Sequence, residues 1–117
     1  LPLSIPFALL SLIATGRKLF SSKTCISCHT TRGHEGIGIT GPDLTRVGAR
    51  STIAAGVLEN TPERLSQWLH EPAHFKPGNK MYFGGYLVQD PSGAWKPNFT
   101  LNDPEINALV AYLHSLK

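Results

Sequence analysis

Two thiols and an imidazole fall within the short run Cys25-Ile26-Ser27-Cys28-His29, and the chain has no other cysteine. Three chemistries use a C-x-x-C pair. A redox dithiol sits between a strand and a helix of a βαβ unit, whereas the flanks here read as helix and loop. A closed structural zinc centre needs four ligands; without a second cysteine pair it would have to add His29 and a distant histidine. The third chemistry is covalent haem attachment, for which C-x-x-C-H is the signature. Each thiol adds across a haem vinyl group to form a thioether, and the following residue is set beneath the porphyrin, where His29 can bind the iron. This third reading uses all three residues, needs no distant ligand to complete it, and leaves none unexplained.

With His29 on one face of the iron, the other face decides the chemistry. A methionine there suits electron transfer, and an open position suits ligand binding or oxygen chemistry. The chain has a single methionine, Met81. A lone methionine commonly fills a core, but this one follows Lys76-Pro77-Gly78-Asn79-Lys80, a turn without helical periodicity. Met81 is therefore expected as the sixth ligand. His34, His70, His74 and His114 read as surface residues, with His70 or His74 the substitutes for Met81.

These residues have to be carried by a small fold. A chain of 117 residues supports one domain with one modest core. Its 11 glycines and 9 prolines point to short helices joined by tight loops. The net charge of +3 is mild, and no run of Lys and Arg interleaved with aromatics suggests a nucleic-acid surface. The opening LPLSIPFALLSLIATG is uncharged but shorter than the roughly 20 apolar residues of a membrane span, and Pro2 and Pro6 interrupt it. Residues 1–15 are expected to be a linker or the start of the first helix, and 16–117 the folded domain.

The first helix is predicted to begin near Phe7–Ser11 and to end at about Phe20, before Ser21-Ser22. The glycine-rich stretch 23–51 reads as a loop around the Cys/Cys/His cluster, and a short helix is expected near Thr52. Thr61-Pro62-Glu63 is a helix start, with Thr as N-cap and Pro at the first helical position; Leu65, Trp68 and Leu69 follow at helical spacing until Pro72. The last helix is the clearest: Asn102 or Asp103 caps it, Pro104 and Glu105 fill its first turn, and Ile106, Leu109, Val110 and Leu113 form one apolar stripe. No strand pattern is as strong, although YLVQD pairing with AWKPN would make a small hairpin.

Taken together, GRKLF, CISCHT, GPDL, VGAR, KPGNKM and ALVAYL, in this order from Gly16 to Leu116, resemble class I cytochromes c. Within that family, GPDLTRVGARSTIAAGVLENTPERLSQWLHEPAHFKPGNKM is most similar to the cytochrome c domain of subunit II of caa-type haem–copper oxidases. The resemblance implies an all-α fold: three to five short helices wrapped around one covalently bound haem c, with the N- and C-terminal helices crossing where Gly16 and Phe20 meet Leu109 and Tyr112. It implies Cys25 and Cys28 as thioether residues and His29 and Met81 as iron ligands. The Pro42 carbonyl would accept a hydrogen bond from His29, Arg50 would lie near a haem propionate, and Trp68 would line the haem cleft. Tyr82 stands where the family often has proline. The long segment after it carries Phe83, Tyr86, Trp95 and Phe99, which either shield the methionine face or form a docking surface.

The implied function is electron transfer toward the copper centre of a terminal cytochrome c oxidase, the chain itself being the electron carrier and no copper motif being present in it. A cytochrome or another small redox protein would be the donor. The setting would be the periplasm or the outer face of a bacterial cytoplasmic membrane. A free-standing soluble cytochrome c shuttling between respiratory complexes is the alternative, and a haem enzyme or gas sensor with an open sixth site stands further off. The rim near Thr24, Ile26, Ser27 and Met81–Phe83 would meet the partner, and its neutral character implies docking with little dependence on salt.

Overall fold

The strongest apolar stripe in the chain becomes its central helix, α4 (Asp103–Ser115), which buries Ile106, Ala108, Leu109, Val110, Tyr112 and Leu113. Its start is fixed by a reciprocal capping box. The Glu105 N–H donates to Asn102 Oδ1 at 2.9 Å, and the Asn102 N–H donates to Glu105 Oε1 at 3.0 Å. The N-cap is therefore Asn102. The computed structural model describes residues 6–23, 25, 29–31, 41–75, 87–97 and 101–117.

The first helix, α1 (Phe7–Ser22), crosses α4 in the most extensive contact between elements. Gly16 is the point of closest approach. A Cβ there would collide with the Ala108 carbonyl oxygen and lie 2.7 Å from Tyr112 Cβ. One turn later, the Phe20 and Tyr112 rings pack with centroids 5.7 Å apart. The helix runs to Ser22, past the predicted end at Phe20. The Lys23 N–H still donates to the Leu19 carbonyl at 2.8 Å, and Lys23 Nζ pairs with Glu105 Oε2 at 3.4 Å. The C-terminal end of α1 is thus held against the first turn of α4. Its other end is bare: Phe7 is 85% exposed. The helix begins at Phe7, within the expected range, so residues 7–15 are the start of the first helix.

Helix α2 (Pro62–His70) starts as its residues predict, with Thr61 Oγ1 accepting from the Arg64 N–H at 3.1 Å. Leu65 and Leu69 turn into the core against α4. Pro72 ends this helix and opens another, the single turn α3 (Pro72–Phe75), because a proline is well tolerated in a first turn.

The expected helix near Thr52 is not formed. Thr52–Ile53 is instead strand β1, antiparallel to β2 (Leu58–Glu59), with Ile53 opposite Leu58 and both buried. β-Branched Thr52 and Ile53 favour the extended backbone, and the turn that follows cannot continue a right-handed helix. Ala54, Ala55 and Gly56 all have positive φ, at 53°, 56° and 91°.

The second hairpin matches expectation: β3 (Leu87–Gln89) pairs with β4 (Trp95–Pro97). Asp90 Oδ1 ties its turn by accepting from the Ser92 and Ala94 N–H groups and from Ser92 Oγ. Those bonds, the Ser92 hydroxyl foremost, hold the Asp90 carboxyl below its usual pKa. The helical class expected from the sequence therefore carries two small hairpins, and a 3-10 turn at Val47–Ala49 lies inside the stretch predicted as loop.

Asn60 fastens that loop to α4. Its Nδ2 donates to the Val47 carbonyl at 2.8 Å and to the Arg50 carbonyl at 2.9 Å, while His114 Nε2–H donates to its Oδ1 at 2.9 Å. Gly48 completes the joint, its N–H donating to the Leu116 carbonyl at 2.7 Å, with no room for a side chain against the His114 backbone. His114, expected at the surface, is half-buried because of this role.

Two predictions follow from this packing. In an exposed helix, Gly→Ala gains about 1 kcal/mol, so the sign of the change reports the crossing. Gly16→Ala should lose about 2 kcal/mol in urea unfolding, within the range for an overfilled contact. The His114 pKa is lowered from 6.5 by burial first and by Lys117 second, with Glu63 opposing. A histidine depressed on folding contributes its full stability above the unfolded-state pKa and loses it as pH falls. Comparing His114→Gln with wild type in urea at pH 7.5 and pH 5 should therefore show the wild-type advantage shrinking on acidification.

Candidate functional site

His29 is held by backbone groups on both sides of it in sequence, from Cys25 and from Pro42. Its own N–H donates to the Cys25 carbonyl at 2.9 Å. Its neighbour Thr30 accepts at its carbonyl from the Leu44 N–H at 2.8 Å. Thr31 is fully buried, and its hydroxyl hydrogen-bonds the Tyr112 hydroxyl at 3.0 Å. The segment 29–31 is therefore held to the 41–44 turn on one side and to α4 on the other.

The imidazole is fixed in the same way. Its Nδ1 lies 2.8 Å from the Pro42 carbonyl oxygen. A carbonyl can only accept, so Nδ1 carries the proton and Nε2 keeps its lone pair. Gly41 lies flat against the ring: a Cβ there would clash with Cε1 and come within 2.7 Å of Nδ1 and 3.0 Å of Nε2. An imidazole with one nitrogen tied to a carbonyl and the other lone pair directed by backbone contacts is a ready metal ligand.

Around it, Cys25 is half-buried and packs against the core. Arg50 reaches back over the turn, its Nη2 donating to the Asp43 carbonyl at 2.7 Å. The Asp43 carboxyl is held below its ordinary pKa first by the Thr45 N–H, then by the Thr45 hydroxyl, with Arg50 adding to both. Cys25, His29, Pro42 and Arg50 are thereby linked through hydrogen bonds of one loop. Trp68 is half-buried on α2 and packs against the core. Cys28 and Met81 lie outside the described residues, as do Thr24, Ile26, Ser27, His34 and the aromatic residues Tyr82, Phe83, Tyr86 and Phe99. Among the described residues, no group of three or more His, Cys, Asp and Glu side chains is arranged to hold a metal by itself.

Gly41, Thr31 and Asn60 were not singled out by residue type or spacing. Gly41 carried a partial signal, since a glycine before proline marks a turn. Nothing in the sequence announces that Thr31 would meet Tyr112, 81 positions away.

The sequence pattern of the cytochrome c family matches residues 13–117. The chain is similar to cytochrome c oxidase subunit 2 of Bacillus subtilis (strain 168), 36% identical over 105 residues that make up 87% of this chain and 26% of that protein. It is similar to the subunit of the same name from Alkalihalophilus pseudofirmus, 35% identical over 103 residues, and from Bacillus sp. (strain PS3), 36% identical over 105. Each of these two matches covers 87% of this chain and 25% of the relative. The chain thus spans about a quarter of the length of these relatives.

A β-carbon added at Gly41 would meet the His29 ring first, at Cε1 and Nδ1, so the cost of alanine there is read at the imidazole. Gly41→Ala should lose about 2 kcal/mol in urea unfolding, as overfilled contacts do. In nitrogen-15 histidine NMR it should shift the His29 Nδ1 resonance as the ring is pushed off the Pro42 carbonyl.

Proposed function

The chain belongs to the cytochrome c family, and on that premise we propose that it carries single electrons through one covalent haem c to the copper centre of a terminal cytochrome c oxidase. The observation that carries the site assignment is the His29–Pro42 hydrogen bond with Gly41 beneath the ring. It leaves Nε2 as the nitrogen that would face a haem iron, and it fixes the orientation of the imidazole. The half-buried Cys25, whose carbonyl accepts the His29 N–H, suits a thioether partner. The described residues therefore fit the haem that the family carries.

When bound, haem c supplies a one-electron iron couple. The protein's part is to hold and tune it. Cys25 and Cys28 tether the porphyrin, so the group stays with the domain through every redox cycle. His29 and Met81 are the residues that would hold the iron, so that no ligand would have to be exchanged when the charge changes. Trp68 and the aliphatic core around Cys25 keep water away from one side, which favours the less charged ferrous state. Arg50 offers a guanidinium to a propionate; with five donors it can do so while keeping its bond to the Asp43 carbonyl.

The relatives' name supports the acceptor: each is called cytochrome c oxidase subunit 2. In this reading the acceptor is the copper-centre domain of such a subunit, and the donor is a cytochrome or another small redox protein. The proposed setting is a membrane-bound complex with this domain in the periplasm or on the outer face of a bacterial cytoplasmic membrane. Among the described residues, no helix is long and apolar enough to cross a membrane.

The visible spectrum with and without carbon monoxide tests this reading. Wild-type protein should keep its haem colour after acid-acetone extraction, and its reduced form should not bind carbon monoxide. Met81→Ala should lose the sulfur-to-iron band of the oxidised protein, bind carbon monoxide when reduced, and have a lower reduction potential. Rapid carbon monoxide binding by wild-type protein would overturn the six-coordinate assignment.

A further inference from the structure

The Pro42 carbonyl that orients His29 belongs to a turn whose own conformation needs an explanation. Pro42 and Asp43 are both exposed, and an exposed turn on its own does not hold a carbonyl in one direction. The φ of Pro42 is locked by its ring. The remaining freedom lies in the rotations that connect the Pro42 carbonyl to the next peptide, Asp43–Leu44.

That next peptide is pinned at both of its polar ends. Its N–H, on Leu44, donates to the Thr30 carbonyl at 2.8 Å. Its oxygen, on Asp43, accepts from Arg50 Nη2 at 2.7 Å. Arg50 is anchored in turn. Its backbone carbonyl accepts from Asn60 Nδ2 at 2.9 Å, and its N–H donates to the Val47 carbonyl at 3.2 Å. Asn60 has no spare bond to give: both Nδ2 hydrogens serve carbonyls, and Oδ1 takes the proton of His114 Nε2. The chain of contacts runs from α4 through Asn60 and Arg50 to the turn, and from the turn to the imidazole.

We infer that Arg50, held by Asn60, is a positioning residue for His29: it fixes the Asp43–Leu44 peptide and thereby the aim of the Pro42 carbonyl at Nδ1. The inference rests on the reading of His29 as the haem ligand. It assigns to Arg50 a function separate from pairing with a propionate, and the two are compatible because different N–H groups of the guanidinium would be used. What Arg50 controls is how firmly the Nδ1–H stays aimed at the carbonyl, and so how firmly the ring is oriented.

The test uses nitrogen-15 histidine-labelled, reduced holoprotein and reads the exchange rate of the His29 Nδ1 proton with solvent. Losing a charge-assisted hydrogen bond of the usual strength predicts exchange about ten-fold faster in Arg50→Met. Backbone amides along α4 should keep their wild-type rates. Asn60→Ser should give a smaller acceleration. The double variant should be no faster than Arg50→Met alone, because the two residues act along one path.

Nδ1 exchange within two-fold of wild type in Arg50→Met, with the haem spectrum intact, overturns the inference. So does an equal acceleration at Nδ1 and along α4, which would be general loosening, and so does simple additivity in the double variant. A wild-type protein without covalently held haem is a different failure: it overturns the functional reading and takes this inference with it.

Discussion

At the crossing of α1 and α4, the Gly16 backbone and the Ala108 carbonyl approach so closely that no side-chain atom fits between them. The ties that α4 makes to the rest of the protein depend on its staying where that contact sets it. From α4, Tyr112 reaches Thr31, His114 reaches Asn60, the Leu116 carbonyl takes the Gly48 N–H, and Glu105 takes Lys23. These ties lead to Thr31, to Gly48, to Asn60 and to the end of α1. A single helix of 13 residues therefore organises segments that have little regular structure of their own.

The histidine site is built by the same logic at a smaller scale. Backbone groups do most of the orienting: the Pro42 and Asp43 carbonyls, the Leu44 N–H, and the bare face of Gly41. Main-chain groups cannot be substituted away, and their directions change only if the turn changes. Side chains enter as fasteners of that turn. An imidazole held in this manner keeps one ring orientation, with Nδ1 on the Pro42 carbonyl.

How far the residues themselves reveal this arrangement varies along the chain. Helices α2 and α4 are legible because Thr61-Pro62-Glu63 and Asn102 to Glu105 are start signals with a hydrogen-bonding mechanism behind them. The first hairpin is not legible. Two-residue strands are too short for an alternating pattern, and alanine is an unusual occupant of the left-handed positions that turn the chain at 54 and 55. The end of α1 was misplaced because serine pairs are common helix stops, whereas here the Lys23–Glu105 ion pair draws out another half turn. The hydrogen bond from His29 to Pro42 came from resemblance to a family, since no periodicity connects residues 13 apart in a loop. Asn60 escaped notice for a related reason: its partners lie 10, 13 and 54 positions away.

The turn of the first hairpin has a thermal consequence. Left-handed backbone at a residue with a β-carbon costs roughly 1–2 kcal/mol each, and Ala54 and Ala55 both adopt it. The strands they join are only two residues long, so few bonds oppose that penalty. Local opening is cheapest where a segment is strained and thinly bonded. On warming, solvent should therefore first reach the interior past Ile53 and Leu58, well before α1 parts from α4, and the domain should melt from this flank inward.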